Sequence, residues 1–209
     1  MIIISSYTLF TFVFIVNTIG TIDDLIEKYQ AIFQKLESLF HILYLQFGPS
    51  EKKLLDIAGI KYGKGLEASK LTFDEKYPVY GSNGIIGTLS TYDFSQSKIA
   101  ISCRGASSGN IVLTKPRSTI SSNSLVLNLF DDRLTLPLYS YLKRVNLQSY
   151  ATGSAQPQIT IENLQHLKVP SFSKIKIDNC DWLIKEYFLI QSKIEKLNNI
   201  KSKLLSKYF

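Results

Sequence analysis

The stretch Leu25-Ile-Glu-Lys-Tyr-Gln-Ala-Ile-Phe-Gln-Lys-Leu-Glu-Ser-Leu39 has a counterpart 158 residues later, Leu183-Ile-Lys-Glu-Tyr-Phe-Leu-Ile-Gln-Ser-Lys-Ile-Glu-Lys-Leu197. In both stretches apolar residues recur at the three- and four-residue spacing of an amphipathic helix. The pattern predicts one helix from Ile22 to Phe47, ended by Gly48-Pro49, and a second over residues 181–209. At 1.5 Å per residue each helix is about 40 Å long, longer than a small globular body.

Each predicted helix has an apolar stripe that must be buried, and the simplest partner is the other helix. We therefore expect an antiparallel coiled coil, formed within one chain or between two chains. Residues 23–47 have a net charge of −2 and residues 183–209 one of +4, which favours pairing. The alternative is that these charges only solvate exposed helix faces.

The segment before the first helix, residues 1–21, is apolar and carries no charged side chain. It lacks the positive start and the small-residue cleavage site of a signal peptide. The apolar run from Ile2 to Val16 is short for a membrane span and is interrupted by serine and threonine. Its β-branched and aromatic residues favour a buried strand or a truncated remnant, with a membrane anchor as the alternative.

Residues 49–180, between the helices, predict a separate α+β domain rich in loops. Short β-prone runs alternate with Gly, Ser, Asn and Pro, which is typical of strands joined by turns. The predicted strands are 57–62, 78–80, 99–103, 110–114 and 124–128, and the predicted helices are 137–143 and 161–167. The fold class is therefore α+β, with one loop-rich domain flanked by two long helices.

The composition favours a polyanionic partner. The 209 residues carry a net charge of +7, of which +6 falls within residues 51–180, and 45% of them are hydrophobic. Such a balance indicates nucleic acid or an anionic membrane surface, although ordinary solubility charge is the alternative. The isolated Cys103 and Cys180 predict neither a disulfide framework nor a zinc site. Free thiols fit a reducing, cytoplasmic compartment.

One catalytic pattern occurs, Gly105-Ala-Ser-Ser-Gly109, which matches the nucleophile elbow of serine hydrolases. The elbow needs a strand before it and a helix after it, whereas residues 110–116 are β-like and end in proline. Phosphate-binding and dinucleotide-binding glycine motifs are absent from the sequence. So is the Asn/Asp-Pro-Pro-aromatic motif of adenine methyltransferases. The sequence therefore predicts a protein without catalytic activity.

Several segments occur together in a recognisable order. They are residues 54–65 (Leu-Leu-Asp-Ile-Ala-Gly-Ile-Lys-Tyr-Gly-Lys-Gly), 77–87 (Tyr-Pro-Val-Tyr-Gly-Ser-Asn-Gly-Ile-Ile-Gly), 101–105 (Ile-Ser-Cys-Arg-Gly), 153–159 (Gly-Ser-Ala-Gln-Pro-Gln-Ile) and 163–170 (Asn-Leu-Gln-His-Leu-Lys-Val-Pro). This ordered set resembles the target-recognition domain of the specificity subunits of type I restriction-modification systems. Residues 17–29 and 193–209 resemble the spacer helices of the same family.

The resemblance implies a subunit that reads double-stranded DNA and directs methyltransferase (M) and restriction (R) subunits to it. It implies no cofactor in this chain, with S-adenosylmethionine, ATP and Mg²⁺ on the partner subunits. Family members usually carry two recognition domains, and this sequence has room for one. We therefore expect a half-subunit that binds a half-site and pairs with a second copy through the spacer helices, or a gene fragment. The alternative from another class is a coiled-coil interaction scaffold, membrane-anchored through residues 2–16 and without DNA binding.

Candidate base-reading residues follow from side-chain chemistry. Arg104, between a predicted strand and a Gly-rich turn, suits guanine O6 and N7, or a phosphate, or loop carbonyls. The amides of Asn83, Gln156 and Gln158 suit adenine N6 and N7. For Asn83 the alternative is structural, because Ser82-Asn83-Gly84 is also a turn signature.

Backbone contacts form the second group of candidates. Lys64, Lys115 and Arg117 suit DNA phosphates. Tyr62 and Tyr80 are predicted either to hydrogen-bond to the DNA backbone or to pack inside the domain. Further candidates are Ser82, Ser107, Ser121, Asn123 and Ser154.

Overall fold

The computed structural model describes residues 6–45, 51–153, 156–171 and 180–208. Two compact units emerge, one formed by Met1–Leu39 with Asp181–Phe209 and the other by Phe40–Cys180. Helices and strands are mixed, as the sequence predicted. The helices are α1 (Ser6–Leu45), α2 (Thr135–Leu142), α3 (Ile161–Leu164) and α4 (Cys180–Tyr208). The strands are β1 (Ala58–Tyr62), β2 (Tyr77–Gly81), β3 (Gly84–Leu89), β4 (Ile99–Ser102), β5 (Ile111–Leu113), β6 (Thr119–Ile120) and β7 (Ser124–Leu129).

Helix α1 begins well before the predicted start at Ile22, so the strand interpretation of the apolar segment is wrong over residues 6–21. Thr21 and Asp24 have the spacing of a capping box for a helix that starts at Ile22, but the Thr21 hydroxyl donates to the carbonyl of Asn17 at 2.9 Å, inside the helix, so this interpretation is wrong. Hydroxyls in helix interiors often bond four residues back in this way. Residues 1–5 and the predicted end at Phe47 lie outside the described residues. Among the helices that the structure describes, none combines the length and apolar character of a membrane crossing.

Within their unit, α1 and α4 contact each other in antiparallel order. The rings of Phe33 and Tyr187 have centroids 4.8 Å apart, and Lys201 Nζ lies 2.6 Å from Asp23 Oδ1. Moving forward along α1 therefore means moving backward along α4. The most buried apolar residues of the two helices are Ile15, Ile22, Ile26, Leu36, Tyr187, Phe188 and Ile190. The pairing predicted from charge and spacing is present, whereas knobs-into-holes packing of a coiled coil remains a prediction.

A second apolar stripe of α1 is exposed. Leu25, Ile32 and Leu39 are seven residues apart and are each more than a third exposed. Residues at this spacing share one helix face, so α1 carries an exposed apolar stripe beside its buried one.

The other unit is built on two small sheets. The four-stranded sheet has the order β1-β7-β4-β5 with antiparallel neighbours, and the three-stranded sheet has the order β3-β2-β6. In the second sheet β2 pairs antiparallel with β3 and parallel with β6. All five predicted strands are present within one or two residues of their predicted ends. Strands β3 and β6 were not predicted, because β3 is interrupted by glycine and β6 has only two residues.

The core lies on both faces of the four-stranded sheet. Ala100 of β4 and Val126 of β7 pack with Tyr80 and Ile120 of the three-stranded sheet. Alternation along a strand sends Ile99, Ile101, Leu125 and Leu127 to the opposite face, where each is fully buried. Helix α2 lies against β5 and contributes the buried Leu136, Leu138 and Leu142. This rigid centre holds the ends of four strands in fixed positions.

Both short helices of this unit differ slightly from their predictions. Helix α2 starts two residues before Pro137, and α3 ends at Leu164 rather than Leu167. Helix α3 has a capping box, in which the Asn163 N–H donates to Thr160 Oγ1 at 3.2 Å and the Thr160 N–H donates to Asn163 Oδ1 at 2.9 Å.

Gly63 marks the point where the chain leaves β1 and meets the second sheet. Its N–H donates to Ser124 of the four-stranded sheet at 2.9 Å, and the N–H of Lys64 donates to Ile120 of the three-stranded sheet at 2.7 Å. A Cβ at Gly63 would lie 2.3 Å from the Ser121 carbonyl oxygen. Only glycine permits this close approach of backbones.

We expect Leu127→Ala to lower the free energy of unfolding by about 2–5 kcal/mol, because the leucine is fully buried and its removal leaves a cavity. The control is Leu55→Ala, since Leu55 is 40% exposed. Urea unfolding followed by circular dichroism compares the two variants. Equal losses would contradict the placement of the core.

We also expect Gly63→Ala to destabilise the sheet junction by about 1–3 kcal/mol, since a backbone oxygen must move to admit the methyl group. Gly65→Ala is the matched control, two residues away, where an added Cβ meets nothing within 4 Å. Thermal unfolding of both variants tests the difference. A Gly63→Ala protein as stable as the control would show that the junction is not tightly packed.

Candidate nucleic-acid interface

The ends of four strands meet at one side of the four-stranded sheet. Tyr62 pairs with Leu125, Ser102 with Ser124, and Ile101 with Ile111. The end of β1, the end of β4, the start of β5 and the start of β7 are therefore neighbours, and we call this side the loop end. Polar candidates from distant parts of the sequence follow or precede these strands, so the sheet brings them together.

Arg104 follows β4 at the loop end and is exposed. It forms an isolated antiparallel bridge with Gln158, whose backbone exchanges two 2.9 Å hydrogen bonds with Thr152. The N–H of Ile159 donates to the Cys103 carbonyl at 3.0 Å. These bonds hold Thr152 and Gln158 beside Arg104, and Gln156 is exposed. Ser154 lies outside the described residues.

The turn after Arg104 contains the hydrolase-like motif. Its Ser107 hydroxyl lies 3.1 Å from the Ser102 hydroxyl, and the Ser108 hydroxyl donates to the Pro157 carbonyl at 3.3 Å. A 3₁₀ turn over Gly105–Ser107 and then strand β5 follow β4. The helix that a nucleophile elbow requires is therefore replaced by a strand, as the sequence predicted.

The β2–β3 hairpin joins the loop end through an amide pair. Ser82 and Asn83 form the turn of this hairpin, as the turn alternative for Asn83 had it. Asn110 Nδ2 donates to Asn83 Oδ1 at 2.9 Å, so the side chain of Asn83 is also fixed against the residue before β5. Asn110 was not among the residues predicted from the sequence. Its position at the start of the predicted strand 110–114, beside a Gly-rich turn, was the available signal.

Lys64 follows β1 at the loop end and lines a cavity of about 320 Å³. Its Nζ lies 3.1 Å from Asp93 Oδ1. The cavity is lined by Lys61, Tyr62, Gly63, Lys64, Asp93 and Phe94. Lys61 Nζ lies 5.0 Å from the centre of the Phe94 ring. Lys61, Asp93 and Phe94 were not predicted from the sequence. Asp93 lies 29 positions from Lys64, and neither it nor Phe94 belongs to a recognised segment.

A buried thiol lies beneath the loop end. Cys103 is fully buried, its N–H donates to the carbonyl of Asn123 at 2.9 Å, and its thiol faces the Ser122 carbonyl at 3.8 Å. Burial raises the pKa of the Cys103 thiol, and the neighbouring Arg104 charge offsets part of this rise. Asn123 is exposed beside it, which places its side chain with the other candidates.

Four candidates lie away from the loop end or inside the domain. Tyr80 is 4% exposed, and its hydroxyl accepts a 3.0 Å hydrogen bond from the Lys115 N–H, so the structure supports packing rather than DNA contact. Lys115 and Arg117 follow Leu113, which pairs with Ile99 at the opposite end of the sheet. Arg117 has a positive φ of 56°, unusual for a residue with a side chain.

Ser121 is also buried, at 7% exposure, so its side chain does not reach the surface of the loop end. Across the described residues, no three histidine, cysteine, aspartate or glutamate side chains cluster in a way that could hold a metal ion. The loop end thus offers hydrogen-bonding amides, hydroxyls and basic groups, which suit recognition of a polar, anionic surface.

Comparison with known proteins agrees with this arrangement. A family model described as the type I restriction modification DNA specificity domain matches residues 49–204. The specificity subunit of the type I restriction enzyme EcoprrI from Escherichia coli is 27% identical over an alignment of 129 positions, and the match covers 59% of this chain and 32% of that protein.

Two solved structures share the fold. The S subunit of a type I restriction-modification system from M. genitalium superposes with a TM-score of 0.67 at 22% identity, over 92% of this chain and 57% of that one. A chain of a type I restriction-modification system, solved in a study of complex assembly and conformational transition, gives a TM-score of 0.50 at 15% identity, over 92% and 55%. The chain thus spans about a third of its curated relative and somewhat more than half of these structures.

Because the family model covers well over half of the residues, including every strand of the two sheets, the chain belongs to the family of type I restriction modification DNA specificity domains.

Proposed function

We propose that this chain recognises a DNA sequence through its loop end and performs no catalysis itself. The observation that supports the proposal is the gathering of Tyr62, Lys64, Arg104 and Asn123 at the ends of three adjacent strands. Two further loops are tied to the same end by the Asn83–Asn110 and Arg104–Gln158 contacts. Side chains on a rigid frame can meet base edges in a fixed register, which sequence recognition requires.

In this proposal the role of each residue follows from the chemistry of its side chain. Arg104 reads a guanine, and the amides of Asn83, Gln156 and Gln158 read adenines. Lys64 contacts a phosphate, which positions the protein without conveying sequence. Phosphate contacts by Lys115 and Arg117 require DNA that reaches the opposite end of the sheet. A positive net charge of +7 supplies the salt-dependent part of the affinity.

The helical unit has a separate role in this proposal. The antiparallel α1–α4 pair sets the spacing between two half-sites, and the exposed stripe of Leu25, Ile32 and Leu39 supports docking of a partner helix. The partners are the M and R subunits, which bind S-adenosylmethionine, ATP and Mg²⁺. In this proposal a second copy of the domain occupies the other half-site. Twofold symmetry then implies a palindromic, gapped site.

Replacing Arg104 with alanine tests base reading. If the guanidinium forms two hydrogen bonds to a guanine, the loss costs about 1–3 kcal/mol of specific binding and relaxes the preference at one base position. Binding to a set of duplexes with single-base substitutions measures both effects.

The matched control is Arg133→Ala, which removes the same charge from an exposed ion pair with Asp131 beyond the other end of β7. A uniform loss of affinity at all sequences, as large in the control as in Arg104→Ala, would contradict direct reading by Arg104.

Co-expression with a methyltransferase subunit of the same system in a methylation-free host tests the whole proposal. We expect N6-methyladenine at a palindromic, gapped motif, because two copies of one domain recognise the same half-site in opposite orientations. Genome-wide mapping of modified adenine reads out the motif.

Other outcomes of the mapping are equally informative. An asymmetric motif would show that a different recognition domain supplies the second half-site, which contradicts the twofold assembly. If the proteins associate but methylate nothing, the chain does not direct methylation. If they do not associate, the proposed partnership is wrong.

A further inference from the structure

We infer that Asp93 acts as an internal stand-in for a DNA phosphate, and that the cavity beside Lys64 is a phosphodiester subsite. The Asp93 carboxylate forms an ion pair with the Lys64 ammonium group until a DNA phosphate takes its place. The inference deepens the proposed function and rests on it. Asp93 then sets the affinity for DNA, although its negative charge repels DNA phosphates.

Lys64 is held in place by its backbone rather than by its side chain. Its N–H donates to the Ile120 carbonyl at 2.7 Å, and its own carbonyl accepts from the Ser122 N–H at 2.9 Å. Gly63, which approaches the second sheet too closely for any side chain, precedes it. The base of the lysine is therefore fixed at the loop end while its ammonium group can change partners.

The ion pair lies where exchange is easy. The side chains of Lys64 and Asp93 are 58% and 34% exposed, so water and anions reach both. An exposed ion pair contributes little to stability, because solvent screens it and ordering two side chains costs entropy. Replacing the carboxylate by a phosphate on Lys64 therefore does not threaten the fold.

The cavity itself suits a phosphodiester. Two ammonium groups and one carboxylate line it, with the aromatic rings of Tyr62 and Phe94 as apolar walls. The Lys61 ammonium group lies over the Phe94 ring, so a second positive charge is held at the cavity.

The consequence concerns affinity for DNA of any sequence. While Asp93 neutralises Lys64, the pair offers a DNA phosphate no net positive charge, so few of the cations condensed on the DNA are released and little affinity is gained. Asp93 also repels the incoming phosphate. Because phosphate contacts carry no sequence information, this restraint lowers binding to all DNA and leaves base reading to the other residues.

The test compares Asp93→Asn with the wild-type full-length chain in binding to the methylated motif and to a scrambled duplex. Freeing Lys64 should steepen the slope of log K against log salt by about 0.9. The affinity gain is then about three- to fourfold larger at 50 mM than at 200 mM salt. Both duplexes should gain by the same factor. The gain should shrink when Lys64 is replaced by methionine, because the two residues act as a pair.

Asp131→Asn is the matched control, since it removes the same charge from the exposed pair with Arg133, beyond the opposite end of the sheet. It should leave the salt slope close to the wild-type value. An unchanged slope in Asp93→Asn, or an equal change in the control, would overturn the inference.

A second measurement needs no DNA. Inorganic pyrophosphate is titrated into the full-length chain while backbone amide signals of residues 61–64 and 93–94 are followed by NMR. Asp93→Asn should saturate at lower pyrophosphate than the wild type, and Lys64→Met should abolish the shifts. If these hold but the wild type shows no sequence preference for DNA, the proposed function fails and the anion subsite stands. If sequence preference is present and pyrophosphate moves no signal in Asp93→Asn, the subsite is wrong.

Discussion

The pairing of β4 with β7 is the constraint on which the unit Phe40–Cys180 depends. All four residues of β4 are buried, and they face Ser124–Leu127 of β7 in unbroken antiparallel register. A one-residue slip would turn Ile99 and Ile101 to the other face and would separate Arg104 from Asn123. The same apolar contacts that stabilise the domain therefore also set the distances between the polar residues at its end. Stability and the geometry of the loop end are therefore determined by the same strand pair.

Much of this arrangement could be predicted from the sequence. The apolar runs 57–62, 99–103 and 124–128 identified the strands, because their residues are β-prone and their flanks are rich in turn formers. Side-chain chemistry selected Arg104, Asn83 and Gln158 as candidates, and contacts within the domain bring all three to the loop end. The helical spacing of residues 25–39 and 183–197 predicted two helices that pack on each other. Each of these signals is local or repeats along the chain, which is why a single sequence reveals it.

What escaped prediction depends on contacts between distant residues or on competing local rules. Thr21 reads as a helix cap, but its hydroxyl equally bonds inside a continuous helix, and tertiary context decides between the two. The burial of Tyr80 and the remote position of Lys115 follow from how one sheet covers the other. The Lys64–Asp93 pair joins residues 29 positions apart, with no motif connecting them. Residue type indicates what a side chain can bind, whereas topology decides whether it lies beside the others.

The reactivity of the buried Cys103 thiol reports on local opening of the loop end. A thiol reacts with alkylating reagents as its thiolate, and burial disfavours that form here. Its backbone is bonded to Asn123 on one side and to Ile159 on the other, so the thiol meets reagent only when these segments separate. The rate at which this thiol is alkylated therefore depends on how often the segments of Asn123 and Ile159 separate from Cys103. Peptide mapping distinguishes this sulfur from that of Cys180, so the chain carries its own probe of how often the loop end loosens, with no label added.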